Sequence, residues 1–156
     1  MHCQTVEDTL AVAERLALAS RCVEGVVIHL SGELGSGKTT FCRGFLHGLG
    51  HRGSVKSPTF TVVEPYTIDG RDIYHFDFYR INSLDEVEGI GIRDYLSGAA
   101  LCLMEWPERL EGRLAEPDLR ISLAYSTQEG RDITLEALSA NGETVMRKFS
   151  AAVGSD

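Results

Sequence analysis

The run Gly32-Glu33-Leu34-Gly35-Ser36-Gly37-Lys38-Thr39 fits G-x-x-x-x-G-K-[ST] at every fixed position. No other stretch constrains the fold as much, because this pattern works only between a strand and a helix. Both neighbours are present. Val26-Val27-Ile28-His29-Leu30 is a short β-branched run bounded by Gly25 and Gly32, and it reads as a strand buried on both faces, hence part of a parallel sheet. Lys38 to Leu49 reads as a helix, stopped by Gly48 and Gly50. The glycines let successive N–H groups turn inward as an anion-binding nest, and the helix dipole adds positive potential there. Lys38 supplies a mobile charge for β- and γ-phosphates, and the Thr39 hydroxyl is placed to ligate Mg²⁺. The pattern therefore predicts a nucleoside triphosphate site.

With 156 residues, positions 1–156 are expected to form a single domain of this kind. Thr5 to Arg21 carries Val6, Leu10, Ala13, Leu16 and Ala17 at helical spacing, with Thr5 as the cap. Thr59 to Thr67 and Arg71 to Tyr79 read as strands joined by an Asp69-Gly70 hairpin turn. Ser83-Leu84-Asp85-Glu86 opens a short helix, and Ala100 to Met104 reads as another buried strand. Leu119 to Ser126, Arg131 to Leu138 and Thr144 to Ser150 are three further elements, with Asn141-Gly142 expected as a turn between the last two. The sum is an α/β fold, a three-layer sandwich with a mostly parallel central sheet and antiparallel additions.

Hydrolysis requires an acid to hold the metal and a group to orient water. Asp77 and Glu105 each follow an apolar or aromatic strand. Ligands collect at the carboxyl ends of strands in such sheets, which favours Glu105 for Mg²⁺ and leaves Asp77 to orient the water or to support the metal's ligands from behind. Ser57-Pro58-Thr59 lies where P-loop switches place a hydroxyl, although the same tripeptide is ordinary turn chemistry. His75 reads as a core histidine rather than a base. Arg80 is a phosphate partner or pairs with Asp85 or Glu86, and Trp106 is a core plug or a contact surface.

Four blocks in order resemble one family: Gly32 to Phe41 followed by Arg43-Gly44, Val55 to Phe60, His75 to Arg80, and Glu105-Trp106-Pro107. They are similar to the TsaE (YjeE) family, the P-loop ATPase of bacterial tRNA threonylcarbamoyladenosine biosynthesis. The resemblance implies a subunit that binds and hydrolyses ATP to reset or regulate a complex with TsaD and TsaB. In that complex TsaD transfers threonylcarbamoyl from threonylcarbamoyl-AMP to adenosine 37 of tRNA. It further implies that Gly35, Ser36, Gly37, Lys38, Thr39 and Thr40 hold the phosphates, with Thr39 and Glu105 on Mg²⁺. Asp77 matches the catalytic aspartate, Thr59 the switch threonine, and Thr9 and Arg131 positions near the base.

The chain carries 15 Lys+Arg against 23 Asp+Glu, a net −8, so tRNA is expected to be held mainly by the partners. No apolar stretch reaches the length of a membrane span, and Met1-His2-Cys3-Gln4 opens no secretion signal, so a cytoplasmic protein with no membrane contact and reduced cysteines is expected. Two other classes fit a P-loop. A small nucleoside or metabolite kinase needs an arginine-rich lid, for which only Arg109, Arg113 and Arg120 are available. A nucleotide-sensing module would bind ATP with little turnover. The sequence contains neither an Asn-Lys-x-Asp base-reading motif nor a Leu-Ser-Gly-Gly-Gln signature, which disfavours a GTPase and a transporter ATPase.

Overall fold

Four parallel strands at the centre of one seven-stranded sheet dictate where everything else lies. The structure, a computed structural model, describes residues 1–110 and 112–152. In chain order its elements are β1 (His2–Cys3), α1 (Val6–Ser20), β2 (Val27–Ser31), α2 (Lys38–Leu49), β3 (Val63–Ile68), β4 (Arg71–Asp77), α3 (Leu84–Ile90), α4 (Ile92–Leu96) and β5 (Leu101–Glu105). A 3₁₀ turn (Pro107–Leu110), β6 (Leu119–Tyr125), β7 (Arg131–Ala137) and α5 (Ala140–Ala151) complete the described chain. The strand order is β1-β7-β6-β2-β5-β4-β3. Neighbours are parallel from β6 through β2 and β5 to β4, while β3 adds antiparallel at one edge and β7 and β1 at the other.

Strand alternation sorts the core into two layers. Ile28, Leu30, Ile73, Leu101 and Leu103 face α1, α2 and α5. Phe76, Cys102 and Met104 face α3, α4 and the 3₁₀ turn. Helices thus cover both faces of a largely parallel sheet, the expected sandwich.

Local chemistry sets the ends of the elements. Thr5 and Asp8 form a reciprocal capping box on α1: the Asp8 N–H donates to Thr5 Oγ1 at 3.1 Å, and the Thr5 N–H donates to Asp8 Oδ2 at 2.9 Å. At its other end α1 has no basic residue in the last turn, and Arg71 from β4 supplies the charge, donating to the Ser20 and Val23 carbonyls. Asp69 (φ 51°) and Gly70 (φ 76°) form the two-residue hairpin turn with both residues left-handed. Two expectations are corrected. Strand β3 starts at Val63 rather than Thr59, because the Val62 N–H donates to the Pro58 carbonyl at 2.7 Å and closes a turn with Val62 at φ 68°. Asn141-Gly142 is no turn: both residues lie in the first turn of α5, where the Ser139 hydroxyl caps by accepting from the Gly142 N–H at 3.0 Å. No helix among the described residues is long and apolar enough to cross a membrane.

Candidate functional site

Between β2 and the start of α2 the chain turns through Gly35 (φ 77°) and Gly37 (φ 106°), and Gly37 caps α2 with no side chain in the way. This aims the first N–H groups of α2 into an open cleft, a ready anion site. Lys38 is 4% exposed. Its ammonium donates to the Gly32 carbonyl at 2.6 Å and the Glu33 carbonyl at 2.9 Å, and it lies 4.1 Å from the centre of the Trp106 ring. Burial lowers the Lys38 pKa, opposed by the nearby carboxylates of Glu105, Glu108 and Asp77. Trp106 adopts φ 60°, a strained conformation for a non-glycine residue, and in it the indole forms a wall beside the lysine.

Register brings the two acids together. In the parallel pair β4/β5, Asp77 lies opposite Glu105 at the carboxyl ends of both strands. Ile73, His75 and Asp77 share one strand face by alternation, as do Leu101, Leu103 and Glu105, and Ile73, Leu101 and Leu103 pack in the layer beneath α2. Both carboxylates therefore point to the phosphate loop, and both are nearly fully buried.

Glu105 accepts from the Thr39 hydroxyl at 3.0 and 3.1 Å through its two oxygens, and its Oε1 lies 2.8 Å from His75 Nε2. A hydroxyl and a carboxylate side by side make the hard-oxygen donor set that Mg²⁺ prefers, so these residues fit that ion. Asp77 Oδ1 accepts from the Tyr79 N–H at 2.8 Å. Its Oδ2 accepts from Ser57 Oγ and, at 3.2 Å, from Thr59 Oγ1. These groups line a cleft of about 300 Å³ with Lys38 and Trp106.

A second recess of about 240 Å³ lies beyond the crest of the loop and shares Gly35, Gly37 and Thr40 with the first. Thr9, Ser36 and Arg131 line it. Arg131 fixes the crest from β7, donating to the Ser36 carbonyl at 3.1 Å and the Gly35 carbonyl at 3.2 Å, with its guanidinium over Tyr125. The structure thus gathers Thr9, Gly35, Ser36, Gly37, Lys38, Thr39, Thr40, Thr59, Asp77, Glu105 and Arg131 around one loop. The Arg80 guanidinium lies 4.2 Å from the Phe60 ring centre, a placement the sequence did not suggest. Tyr125, whose hydroxyl donates to the Leu34 carbonyl at 3.0 Å, was also missed. His75 has a contact with Glu105 that its place two residues before Asp77 on one strand face could have signalled.

The three-layer sandwich and this loop define a P-loop NTPase-like α/β protein. A crystal structure of YdiB from Bacillus subtilis superposes with a TM-score of 0.80 at 32% identity, covering 99% of this chain and 95% of that one. Residues 3–133 match the family model described as threonylcarbamoyl adenosine biosynthesis protein TsaE, and the chain belongs to that family. A curated relative from Haemophilus influenzae, named tRNA threonylcarbamoyladenosine biosynthesis protein TsaE, is 45% identical over 127 residues, 81% of this chain and 80% of the relative. One of the same name from Bacillus subtilis is 37% identical over 144 residues, 92% of this chain and 89% of its own.

Proposed function

We propose that this chain, acting as one domain, is the Mg²⁺-dependent ATPase subunit of the cytoplasmic machinery that installs threonylcarbamoyl on adenosine 37 of tRNA. It works with TsaD and TsaB and resets or regulates the transferase between turnovers. The observation that carries the ATPase reading is the convergence of Lys38, Thr39, Asp77 and Glu105 on one cleft at the carboxyl ends of adjacent parallel strands. The family carries the pathway.

In this reading the backbone from Gly35 to Thr40 receives the phosphates, and Lys38 exchanges its two loop carbonyls for phosphate oxygens. Thr39 and Glu105 hold Mg²⁺, which when bound neutralises phosphate charge. Asp77 orients the attacking water, with Thr59 and Ser57 reporting on the phosphates through their bonds to its Oδ2. Thr9 and Arg131 bound the nucleoside end. The net −8 leaves the tRNA backbone chiefly to the partners. Two of the three arginines available for a kinase lid are engaged elsewhere: Arg120 pairs with Glu116 and Glu136, and Arg109 lies over Tyr79.

The test is Mg²⁺-dependent ATP hydrolysis by the purified chain, alone and with a TsaB–TsaD complex. Slow turnover that rises with the partners and vanishes in Lys38→Ala supports the reading. Turnover indifferent to them, with a nucleoside or metabolite becoming phosphorylated, makes the protein a kinase instead.

A further inference from the structure

Beside Glu105 lie two side chains that do not line the nucleotide cleft, Cys42 and His75. Cys42 sits on α2 one turn past Thr39, so the two side chains share a helix face and both meet the ends of β4 and β5. The ligand atoms of Cys42, His75 and Glu105 lie within 4.8 Å of one another. Cys42 and His75 are 0% exposed and Glu105 2%. His75 Nδ1 is buried with no hydrogen-bond partner among the described residues, although a buried imidazole normally satisfies both nitrogens. Thiolate, imidazole and carboxylate are the three ligand types of zinc, and sites with three protein ligands and a fourth position left open are one of its two usual forms. Ligand atoms around such an ion, about 2.0–2.3 Å from it, stand within roughly 4 Å of each other, so only a small closure separates this cluster from a site.

We propose that Cys42, His75 and Glu105 form a buried site for a thiophilic divalent cation, zinc or cadmium, whose occupation withdraws Glu105 from the nucleotide cleft and silences the site. Binding replaces the Cys42 thiol proton, which leaves to solvent, and an imidazole nitrogen donates its lone pair. The Glu105 carboxylate now bonded to Thr39 turns to the new ion. Thiophilic and hard cations thus compete for one carboxylate, with Cys42 and His75 selecting the former and Thr39 the latter. The silencing rests on the ATPase reading above; the binding does not.

The binding is tested on the untagged, metal-free chain titrated with Cd²⁺, reading the ultraviolet thiolate-to-metal charge-transfer band. One equivalent is expected to saturate the band. The band is retained in Cys22→Ser, which removes the exposed thiol, and lost in Cys42→Ser. A wild-type chain with no band, or a band that survives Cys42→Ser, overturns the site. X-ray absorption on the zinc-loaded wild type decides the matter without any variant: one sulfur near 2.3 Å with lighter ligands near 2.0 Å is expected, and a shell free of sulfur overturns the proposal.

The silencing is tested by the Mg²⁺ dependence of ATP hydrolysis at buffered zinc. With free zinc about ten times its dissociation constant, competition moves the half-saturating Mg²⁺ roughly tenfold upward. Cys42→Ser, whose hydroxyl keeps a hydrogen-bond donor beside Glu105, is expected to hydrolyse ATP as the wild type does and to show no such shift. A shift equal in both proteins places zinc at the Mg²⁺ position or on ATP and overturns the proposal. Absence of any hydrolysis in the zinc-free wild type at saturating Mg²⁺ is a failure of the ATPase reading alone, and the cadmium band still decides the site.

Discussion

The Thr39 hydroxyl donates to both carboxylate oxygens of Glu105, at 3.0 and 3.1 Å, across the junction between the first turn of α2 and the end of β5. This contact ties the phosphate loop to the central sheet, and it joins the two residues proposed to hold Mg²⁺. Removing the hydroxyl takes away one ligand and leaves the carboxylate to His75. A hydrogen bond to a charged group is worth about 1.5–3 kcal/mol, so Thr39→Ala is expected to weaken Mg²⁺-dependent ATP binding by about 10- to 100-fold. Thr39→Ser should recover most of it. Calorimetric titration with and without Mg²⁺ checks this, and an unchanged metal dependence in the alanine variant would move the ion elsewhere.

Asp77 differs from its neighbour in what it accepts. The Tyr79 N–H pins one oxygen, while the hydroxyls of Ser57 and Thr59 occupy the other. Asp77→Asn keeps an oxygen for the Tyr79 N–H and the side-chain volume but loses the charge that orients water. Loss of general-base assistance costs typically about 10²–10⁴ in rate. The expected result is ATP affinity within about threefold of wild type, with single-turnover hydrolysis reduced by at least about 10². Equal losses in binding and turnover would assign Asp77 to the metal.

The loop and both acids were legible because each is fixed by local sequence: glycine spacing, and a carboxylate after an apolar strand. Their mutual placement was not. Setting Asp77 opposite Glu105 depends on the parallel register of β4 and β5, which are joined only through α3 and α4. The bond between His75 and Glu105 depends on the same register, so a histidine that reads as core filler turns out to touch the site. The two-residue strand β1 is too short to show any period. Asn141-Gly142 misled because the dipeptide favours turns, whereas Ser139 and a tight packing contact recruit it into a helix.

That contact makes a stability prediction. A Cβ built on Gly142 would stand 2.0 Å from the Asp118 carbonyl oxygen, which already accepts from the Leu138 N–H at 2.9 Å. The same aspartate accepts from the Val27 N–H at 2.7 Å and from the Ser139 hydroxyl, so it links β2 to the cap of α5. Alanine gains up to about 1 kcal/mol in helix propensity over glycine, but overpacking against backbone costs about 1–3 kcal/mol. Gly142→Ala is therefore expected to destabilise the fold by up to about 2 kcal/mol in urea denaturation, with ATP binding intact at low temperature. Net stabilisation would show that α5 shifts freely on the sheet.

His29 yields a pH dependence independent of the nucleotide site. It is nearly buried on the face of β2 opposite α2, its Nε2 has no partner among the described residues, and burial, helped by nearby Arg120, pushes its pKa down from 6.5 to about 4. The unfolded chain therefore binds a proton here that the folded chain refuses. Above pH 6.5 both states are neutral at this residue and it contributes no pH dependence. As the pH falls from 6.5 toward 4 the unfolded state gains the proton first, and stability drops by an amount approaching about 3 kcal/mol at 1.36 kcal/mol per pH unit. His29→Leu removes this component and leaves the carboxylate contributions unchanged. Denaturation of both proteins at pH 7.5 and pH 4.5 measures it: the stability difference between them should shift in favour of the leucine variant on acidification. A difference that stays constant with pH would mean that His29 takes up its proton equally well in the folded state.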